Sequence, residues 1–265
     1  QERTEDIMLA LRLMMRAIGV HRAIIGVEAN KPDSLAKMRA AAANMENIDV
    51  VKLRTKYPQG SEKQLIYVLT GREIPRGGLP MDVGVAINNV GTALAVTEAV
   101  CDGKPLVERA VTVTGTAIAE PKNLKVRIGT TFQDVINYCG GFTVAPAKLL
   151  MGGPMMGIAQ YTLDVPVIKG TSGIVGLASE DVTVVESHAC IRCGRCVNAC
   201  PMYLIPSTLG ILCERHKFEE AKESGLMDCV ECGCCTYVCP AGRPMVHMFK
   251  FGKMELFKIA QKKRA

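Results

Sequence analysis

The feature that most constrains this chain is a cysteine pattern that occurs twice in its last third. Each copy has three cysteines separated by two residues, then three further residues, a fourth cysteine and a proline. Three thiolates on so short a loop can each reach a different iron atom of one four-iron cluster. The pattern therefore predicts two 4Fe-4S clusters. The two runs are Cys190, Cys193, Cys196 and Cys200, and Cys229, Cys232, Cys235 and Cys239.

When two such motifs pair by pseudo-symmetry, the fourth cysteine of each reaches the cluster held by the other. The predicted ligand sets are Cys190, Cys193, Cys196 and Cys239 for one cluster, and Cys229, Cys232, Cys235 and Cys200 for the other. Two structural zinc sites are the alternative, because paired cysteines also hold Zn²⁺ tetrahedrally. Zinc gives no reason for a third cysteine, a fourth cysteine and a proline at the same offsets in both copies.

The remaining four of the twelve cysteines lie off this pattern. Cys234 adjoins a predicted ligand, which leaves an alternative coordination open for it. For Cys234, as for Cys101, Cys139 and Cys213, a small buried apolar side chain is the favoured interpretation. Closely spaced thiols are typical of cluster sites in a reducing compartment, whereas disulfide frameworks spread cysteines over distant segments.

Composition excludes several broad classes of protein. With 265 residues, 48% of them hydrophobic and 22% charged, the chain predicts two or three globular units and not a disordered protein. Its apolar stretches are too short to span a bilayer, and the lack of tryptophan disfavours a base-stacking surface for nucleic acid. The formal charge of +6 would partly compensate two anionic clusters. The basic end of the chain contains Lys250, Lys253, Lys258, Lys262, Lys263 and Arg264.

Residues 1–106 alternate between helical and strand periodicity. Apolar residues repeat at helical spacing after Thr4, the predicted cap, and two short apolar runs predict buried strands. Asn88 or Asn89 is expected to cap a later helix from Val90. Such alternation predicts parallel strands joined by helices, as in part of a Rossmann-like α/β domain.

The rest of the chain divides into further segments. Residues 107–160 carry two strand patterns and a helix, which predicts a small α+β unit, with the glycine-rich stretch 152–157 as a structural turn. Residues 161–184 are expected to link this unit to the cysteine domain at 185–245. Within that domain, residues 202–223 are long enough for a helix pair.

The segment 246–265 mixes apolar residues and lysines and predicts an amphipathic helix. Such a helix suits a membrane surface or a partner protein. Packing back on its own cluster domain, with the lysines in solvent, is an equal alternative.

With paired cluster motifs behind an α/β segment, the chain resembles the RnfC family, the C subunits of Rnf electron-transport complexes, over essentially its whole length. The segments YPQGSEKQL (57–65) and AINNVGT (86–92) look like two flavin-contacting segments that this family shares with the NADH-binding flavoprotein subunit of respiratory complex I. The segment from about 107 to 160 looks like the family's soluble-ligand-binding β-grasp module.

The resemblance implies a multidomain α/β and α+β fold: a partial Rossmann-like flavin and NAD-binding domain, a β-grasp module and a bacterial-ferredoxin-like two-cluster domain. The family's glycine-rich flavin loop, first strand and first helix would precede Gln1. The first residues also lack a signal peptide and a starting Met. The chain is therefore expected to lack the N-terminal part, which would impair FMN binding by this chain alone.

The resemblance also implies cofactors and an activity. In this family electrons pass between FMN, NAD(H) and clusters in a membrane-associated, ion-translocating ferredoxin:NAD⁺ oxidoreductase. By resemblance, Asn88, Asn89 and Gly60 would hold FMN, while Tyr57 and Glu62 would line the nicotinamide side. A flavin suits this junction, because it exchanges a hydride with nicotinamide and single electrons with clusters.

The implied partners are the other proteins of the Rnf complex, especially the iron–sulfur B subunit and the membrane subunits, with ferredoxin reached indirectly. The implied location is peripheral, on the cytoplasmic side of the bacterial membrane. Two alternatives remain open at this point. One is a related cobalamin reductase of bacterial microcompartments, and the other is a non-catalytic iron–sulfur relay without flavin chemistry.

Overall fold

A computed structural model describes residues 1–182 and 186–262 of the chain. The basic positions Lys263 and Arg264, and the expected boundary between residues 184 and 185, lie outside the described residues. The chain divides into two compact units, 1–109 and 110–265. None of the described helices combines the length and hydropathy that crossing a bilayer requires.

The first unit is an α/β layer around two parallel strands. Its elements in chain order are α1 (Thr4–Ile18), β1 (Ala23–Glu28), α2 (Pro32–Ala42), β2 (Ile48–Leu53), α3 (Glu62–Thr70) and α4 (Val90–Cys101). The register runs from Ala23 opposite Ile48 to Glu28 opposite Leu53. A parallel pair needs a crossover, which α2 supplies, and Pro32 stands in its first turn where a missing N–H costs nothing. The alternation of helices and strands predicted from the sequence is confirmed.

The helices of this unit pack their apolar faces on the two strands. Met8 of α1, Met38 of α2 and Ile48 of β2 belong to one buried cluster. The buried hydroxyl of Thr97 in α4 donates a 2.7 Å hydrogen bond to the backbone carbonyl of Asp6, which ties α4 to α1.

Helix starts in this unit only partly follow the prediction. Asn89 is the N-cap of α4, and its side-chain oxygen accepts a 2.9 Å hydrogen bond from the N–H of Gly91. The prediction that Thr4 caps α1 is wrong, because Arg3 occupies the cap position and Thr4 is the first helical residue. The hydroxyl of Thr4 is buried and has no hydrogen-bond partner.

The second unit opens with a five-stranded mixed sheet. Its elements are β3 (Glu108–Thr114), β4 (Lys122–Arg127), α5 (Phe132–Tyr138), β5 (Lys148–Met151), β6 (Ile158–Gln160) and β7 (Gly173–Leu177). The strand order is β4-β3-β7-β5-β6. β7 pairs parallel to β3 and antiparallel to β5, so it lies in the middle of the sheet. The sequence predicts a linker over 161–184, whereas five of these residues form the central strand.

One face of the sheet packs against α5. Phe132 and Ile136 of α5 are fully buried with Val113 of β3 and Ile174 of β7 in one cluster. The central position of β7 explains its apolar inward residues despite glycines at positions 173 and 176. A glycine-rich composition hides such a strand, because glycine is depleted from strands in general.

The cysteine region completes the second unit with five helices. They are α6 (Arg195–Asn198), α7 (Pro206–Glu214), α8 (Phe218–Glu223), α9 (Cys234–Tyr237) and α10 (Met245–Lys262). The helix pair predicted within 202–223 is confirmed as α7 and α8. α10 packs against α7, α8 and α9.

The long helix α10 buries one face and exposes another. Its buried residues are Met245, Phe249, Gly252 and Leu256. The packing alternative for this segment is therefore correct for that face, but its expectation that the lysines lie in solvent is wrong for Lys253, whose side chain is 15% exposed. Met254 and Phe257 remain 46% and 60% exposed, whereas the ring of Phe251 makes edge contacts with the rings of Phe218 and His216.

The four off-pattern cysteines do not share one environment. Cys139 and Cys213 are buried, as predicted, and a Cβ at Gly252 would lie 2.7 Å from the Cys213 sulfur, so only glycine fits there. Cys101 is exposed, which contradicts the expected burial, because it lies on the outer side of the last turn of α4. Cys234 is half-buried.

We expect Phe132→Ala to destabilise the sheet by about 3–5 kcal/mol, because it leaves a cavity in a core that cannot collapse fully. Hydrogen exchange of the β3 and β7 amides would measure this loss locally. Tyr138→Ala is the matched control, since Tyr138 lies on the same helix and is 70% exposed. Equal losses of protection in the two variants would contradict the assigned core.

Candidate iron–sulfur site

The two cysteine runs share one backbone conformation. The residue before and the residue after each middle cysteine have positive φ: Arg192 (56°) and Gly194 (75°) in the first run, and Glu231 (55°) and Gly233 (84°) in the second. The left-handed conformation is costly for arginine and glutamate, so it needs a structural reason. Because it recurs at the same two offsets, the runs are a structural repeat as well as a sequence repeat.

A one-turn helix follows each loop at the same offset. α6 and α9 pack against each other, which brings the two runs side by side. In the second loop the N–H of Glu231 donates to the sulfur of Cys229 at 3.4 Å. Backbone N–H groups directed at cysteine sulfur stabilise thiolates that bear negative charge.

The second thiol set lines one small cavity. Cys229, Cys232 and Cys235 line it from the second run, and Cys200 lines it from the first. The other walls are largely apolar, and include Pro201, Leu204, Pro206, Leu209, Val246 and Phe249. The structure thus brings together three thiols of one run and one thiol of the other.

The cavity suits a multi-atom cluster better than a single metal ion. Among the described residues, no three or more Cys, His, Asp or Glu side chains converge on one ion position. A zinc site would need four donors about 2.3 Å from one point. Four thiols that line one cavity without converging on a single point match a cluster whose iron atoms each take one thiolate.

The other four predicted ligands lie in a more open part of the domain. Cys196 is buried, Cys190 and Cys239 are half-buried, and Cys193 is exposed. Ile191, next to Cys190, is 66% exposed. The two sites therefore differ in solvent access although their loops share a backbone conformation.

Burial raises the thiol pKa values in the enclosed site. It raises the pKa of Cys229, and it raises the pKa of Cys235 to about 12, with smaller contributions from the nearby thiols of Cys229 and Cys232. Burial, followed by a hydrogen bond with Cys232, also raises the pKa of Cys234 to about 11. Such thiols are protonated at neutral pH without metal, so iron binding has to displace their protons.

The sheet of the second unit also reaches the enclosed site. A Cβ built on Gly233 would lie 2.7 Å from the backbone oxygen of Met155. Met155 belongs to the glycine-rich stretch 152–157, where Gly157 donates a 2.7 Å hydrogen bond to Gly153. The stretch is a turn, as predicted, but its contact with the second cysteine loop is not visible in the sequence, because the two segments lie far apart along the chain.

The residues expected to contact FMN lie at two helix starts of the first unit. Tyr57 is 47% exposed, Gly60 and Glu62 are exposed, and Glu62 is the first residue of α3. Asn88 and Asn89 are exposed and precede α4, and the side-chain oxygen of Asn89 is used for the cap. Helix N-termini favour anionic groups such as phosphate, and these residues are solvent-accessible, so they are compatible with FMN.

Three family models match the chain in succession. They are the Nuo51 FMN-binding domain at residues 1–98, the SLBB domain at 110–159 and the 4Fe-4S dicluster domain at 189–243. The fold, the paired cysteine loops and these matches define the class as a multidomain iron–sulfur protein of α/β and α+β architecture.

Curated relatives match almost the whole chain. The C subunit of the proton-translocating ferredoxin:NAD⁺ oxidoreductase complex of Clostridium ljungdahlii is 49% identical over 100% of the chain and 58% of that protein. The C subunit of the Na⁺-translocating ferredoxin:NAD⁺ oxidoreductase complex of Acetobacterium woodii is 44% identical over 98% of the chain and 58% of that protein. The C subunit of the ion-translocating oxidoreductase complex of Rhodobacter capsulatus is 43% identical over 97% of the chain and 50% of that protein.

The chain therefore belongs to the RnfC family, the C subunits of the ion-translocating ferredoxin:NAD⁺ oxidoreductase (Rnf) complexes. It spans 50% to 58% of the length of these relatives. Among solved structures, the NAD⁺-reducing [NiFe]-hydrogenase is similar in its H₂-reduced state, with TM-score 0.58 and 18% identity over 91% of this chain and 50% of that chain. The structure of its air-oxidised state gives a TM-score of 0.55 and 18% identity over 82% of this chain and 43% of that chain. At this identity the likeness concerns the fold alone.

We expect Gly233→Ala to reduce the iron bound per chain, because its new methyl group would displace the Met155 carbonyl. Gly194→Ala is the matched control: it has the same position in the first loop and a positive φ, but no atom lies within 4 Å of the added Cβ. Both variants cost about 1–2 kcal/mol for the left-handed backbone.

The measurement is iron per chain after identical anaerobic reconstitution, together with hydrogen exchange of residues 152–157. Gly233→Ala should increase exchange in this stretch, and Gly194→Ala should leave it unchanged. The same iron content and the same exchange in both variants would contradict the packing of Met155 on the second loop.

Proposed function

We propose that this chain is the electron-relay part of an RnfC protein in an ion-translocating ferredoxin:NAD⁺ oxidoreductase, and that it passes electrons between FMN, NAD(H) and partner subunits through two 4Fe-4S clusters. The observation that carries the proposal is the cavity lined by Cys229, Cys232, Cys235 and Cys200. One cluster there would take its fourth ligand from the first run. By the same pairing, Cys190, Cys193 and Cys196 would share the other cluster with Cys239.

The arrangement of the two sites supports a relay. The loops lie side by side through α6 and α9, which would bring the two clusters close together. Bound clusters exchange single electrons without moving protons or atoms. The protein's own part is to fix the ligands, exclude water from the enclosed site and set its charge environment.

For the flavin end we propose the residues that the family resemblance assigns. Asn88, Asn89 and Gly60 would hold FMN, and Tyr57 and Glu62 would line the nicotinamide side. Support comes from the match to the Nuo51 FMN-binding domain over this unit and from the two helix starts that these residues form. Bound FMN would convert hydride chemistry into single-electron steps.

For partners we propose the iron–sulfur B subunit and the membrane subunits of the Rnf complex, at the cytoplasmic side of the bacterial membrane, with ferredoxin reached indirectly. The exposed apolar residues Met254 and Phe257 on α10 support an association surface. Replacing both by Ser should weaken co-purification with the complex while leaving iron content unchanged. Unchanged co-purification would remove α10 from the interface.

Cluster content is the first test of the proposal. Anaerobically purified protein should contain about eight iron and eight sulfide per chain, and it should show a coupled two-cluster spectrum in electron paramagnetic resonance after dithionite reduction. Zinc in place of iron would overturn the relay.

Crossed ligation gives a sharper prediction. Cys200→Ser should perturb the same cluster as Cys232→Ser, and Cys239→Ser should perturb the same cluster as Cys193→Ser. Each pair should leave the same single-cluster spectrum with about four iron per chain. Cys101→Ser is the control, since Cys101 is exposed and lies in the first unit. A Cys200→Ser protein that instead resembles Cys193→Ser would show that each run holds its own cluster.

Flavin binding distinguishes a flavin-dependent oxidoreductase from an iron–sulfur relay without flavin chemistry. Titration of the apo-protein with FMN, followed by flavin fluorescence, should give one FMN per chain in the full-length protein. Substitution of Asn88 and Asn89 by Ala should weaken that binding without changing iron content. Full-length protein that binds no FMN would contradict the flavin part of the proposal.

A further inference from the structure

The two cysteine loops share a backbone but carry opposite charge at the same position. The residue before the middle cysteine is Arg192 in the first loop and Glu231 in the second. Arg192 is exposed, whereas the Glu231 side chain is 27% exposed and forms an ion pair. The charge difference therefore sits on matching positions of two otherwise similar sites.

The partner of Glu231 is Lys253, near the middle of α10. Its ammonium group donates one 2.7 Å hydrogen bond to a Glu231 carboxylate oxygen and another to the backbone carbonyl of Cys229. The Lys253 side chain is only 15% exposed. A lysine held between a carboxylate and the main chain of a proposed ligand is a fixed charge, unlike the exposed Lys258 and Lys262 of the same helix.

This pair stands directly beside the proposed ligand Cys229. The N–H of Glu231 donates to the Cys229 sulfur, and Lys253 holds the carbonyl of the same cysteine. Charges in a partly buried position are screened less than charges in solvent. Reduction of a cluster at this site adds one electron, taken from the flavin or from dithionite, and therefore one negative charge next to the pair.

We propose that Lys253 and Glu231 tune the reduction potential of the cluster held by Cys229, Cys232, Cys235 and Cys200, with Lys253 raising it and Glu231 lowering it. The proposal rests on the ligand assignment made above. Net charge and hydrogen bonds around the sulfur atoms are two of the levers that set such potentials. The two charges offset each other at this site, so the loss of either one alone shifts the potential of its cluster.

The test is a redox titration of the full-length protein, followed by electron paramagnetic resonance. Lys253→Gln removes a positive charge and should decrease the equilibrium constant for reduction of this cluster about tenfold, which corresponds to about 59 mV for one electron. Glu231→Gln removes a negative charge and should increase it by a similar factor. In the double variant the reduction potential of this cluster should lie close to the wild-type value. The reduction potential of the other cluster should stay unchanged in all three variants.

Lys258→Gln is the matched control. Lys258 lies on the same helix and pairs with Glu255 at 2.7 Å, but its side chain is 55% exposed. This variant removes the same charge at a solvated position and should leave both potentials unchanged. The Cys200→Ser protein identifies which step of the titration belongs to the enclosed site.

Opposite shifts of the reduction potential in the two single variants distinguish an effect of charge from a structural role. A structural role would shift both potentials in the same direction or reduce the iron content. Shifts of the same sign, or no shift with full iron content, would overturn the inference. If the Lys253→Gln variant binds less iron, the Glu231→Gln variant decides whether the inference holds. The inference requires that the reduction potential of the enclosed cluster is higher in this variant than in the wild type. Wild-type protein without two clusters would instead refute the proposed function itself.

Discussion

Closure of one thiol cavity by both cysteine runs is the constraint on which the architecture of the second unit depends. Cys200 can face Cys229, Cys232 and Cys235 only if the first run lies beside the second. The packing of α6 against α9 meets that requirement, and α7, α8 and α10 supply the apolar walls and the surrounding core. Apolar packing thus places the two runs side by side, while burial of the thiols opposes their ionisation until iron displaces the protons.

Sequence spacing predicted the chemistry well because the relevant information is local. Three cysteines within seven residues fix a loop, and the repeat of that loop with its proline indicates a paired site. Helix starts such as that of α4 at Asn89 and strands such as β2 follow from equally local patterns. The exception at Thr4 shows the limit of such rules, since the neighbouring Arg3 takes the cap position instead.

Features that depend on tertiary contacts could not be predicted. The strand β7 carries glycines and follows a loop, and its position becomes clear only from its pairing with β3 and β5. The approach of Met155 to Gly233 joins segments about 80 residues apart. In the sequence Lys253 is one of several lysines of a basic segment, and only its contacts with Glu231 and Cys229 set it apart. Periodicity describes which face of an element is apolar, but it does not say which distant group that face meets.

The difference in exposure between the two sites has a consequence for survival in air. Susceptibility of a cysteine to oxidants follows its thiolate character and its accessibility, and Cys193 is the exposed ligand of the first set. Dissolved oxygen and peroxide reach that sulfur without any opening of the domain, whereas the other set lies behind Phe249, Leu209 and the turn that contains Met155. Damage by oxygen would therefore proceed in order, with the open site lost first and the enclosed one outlasting it.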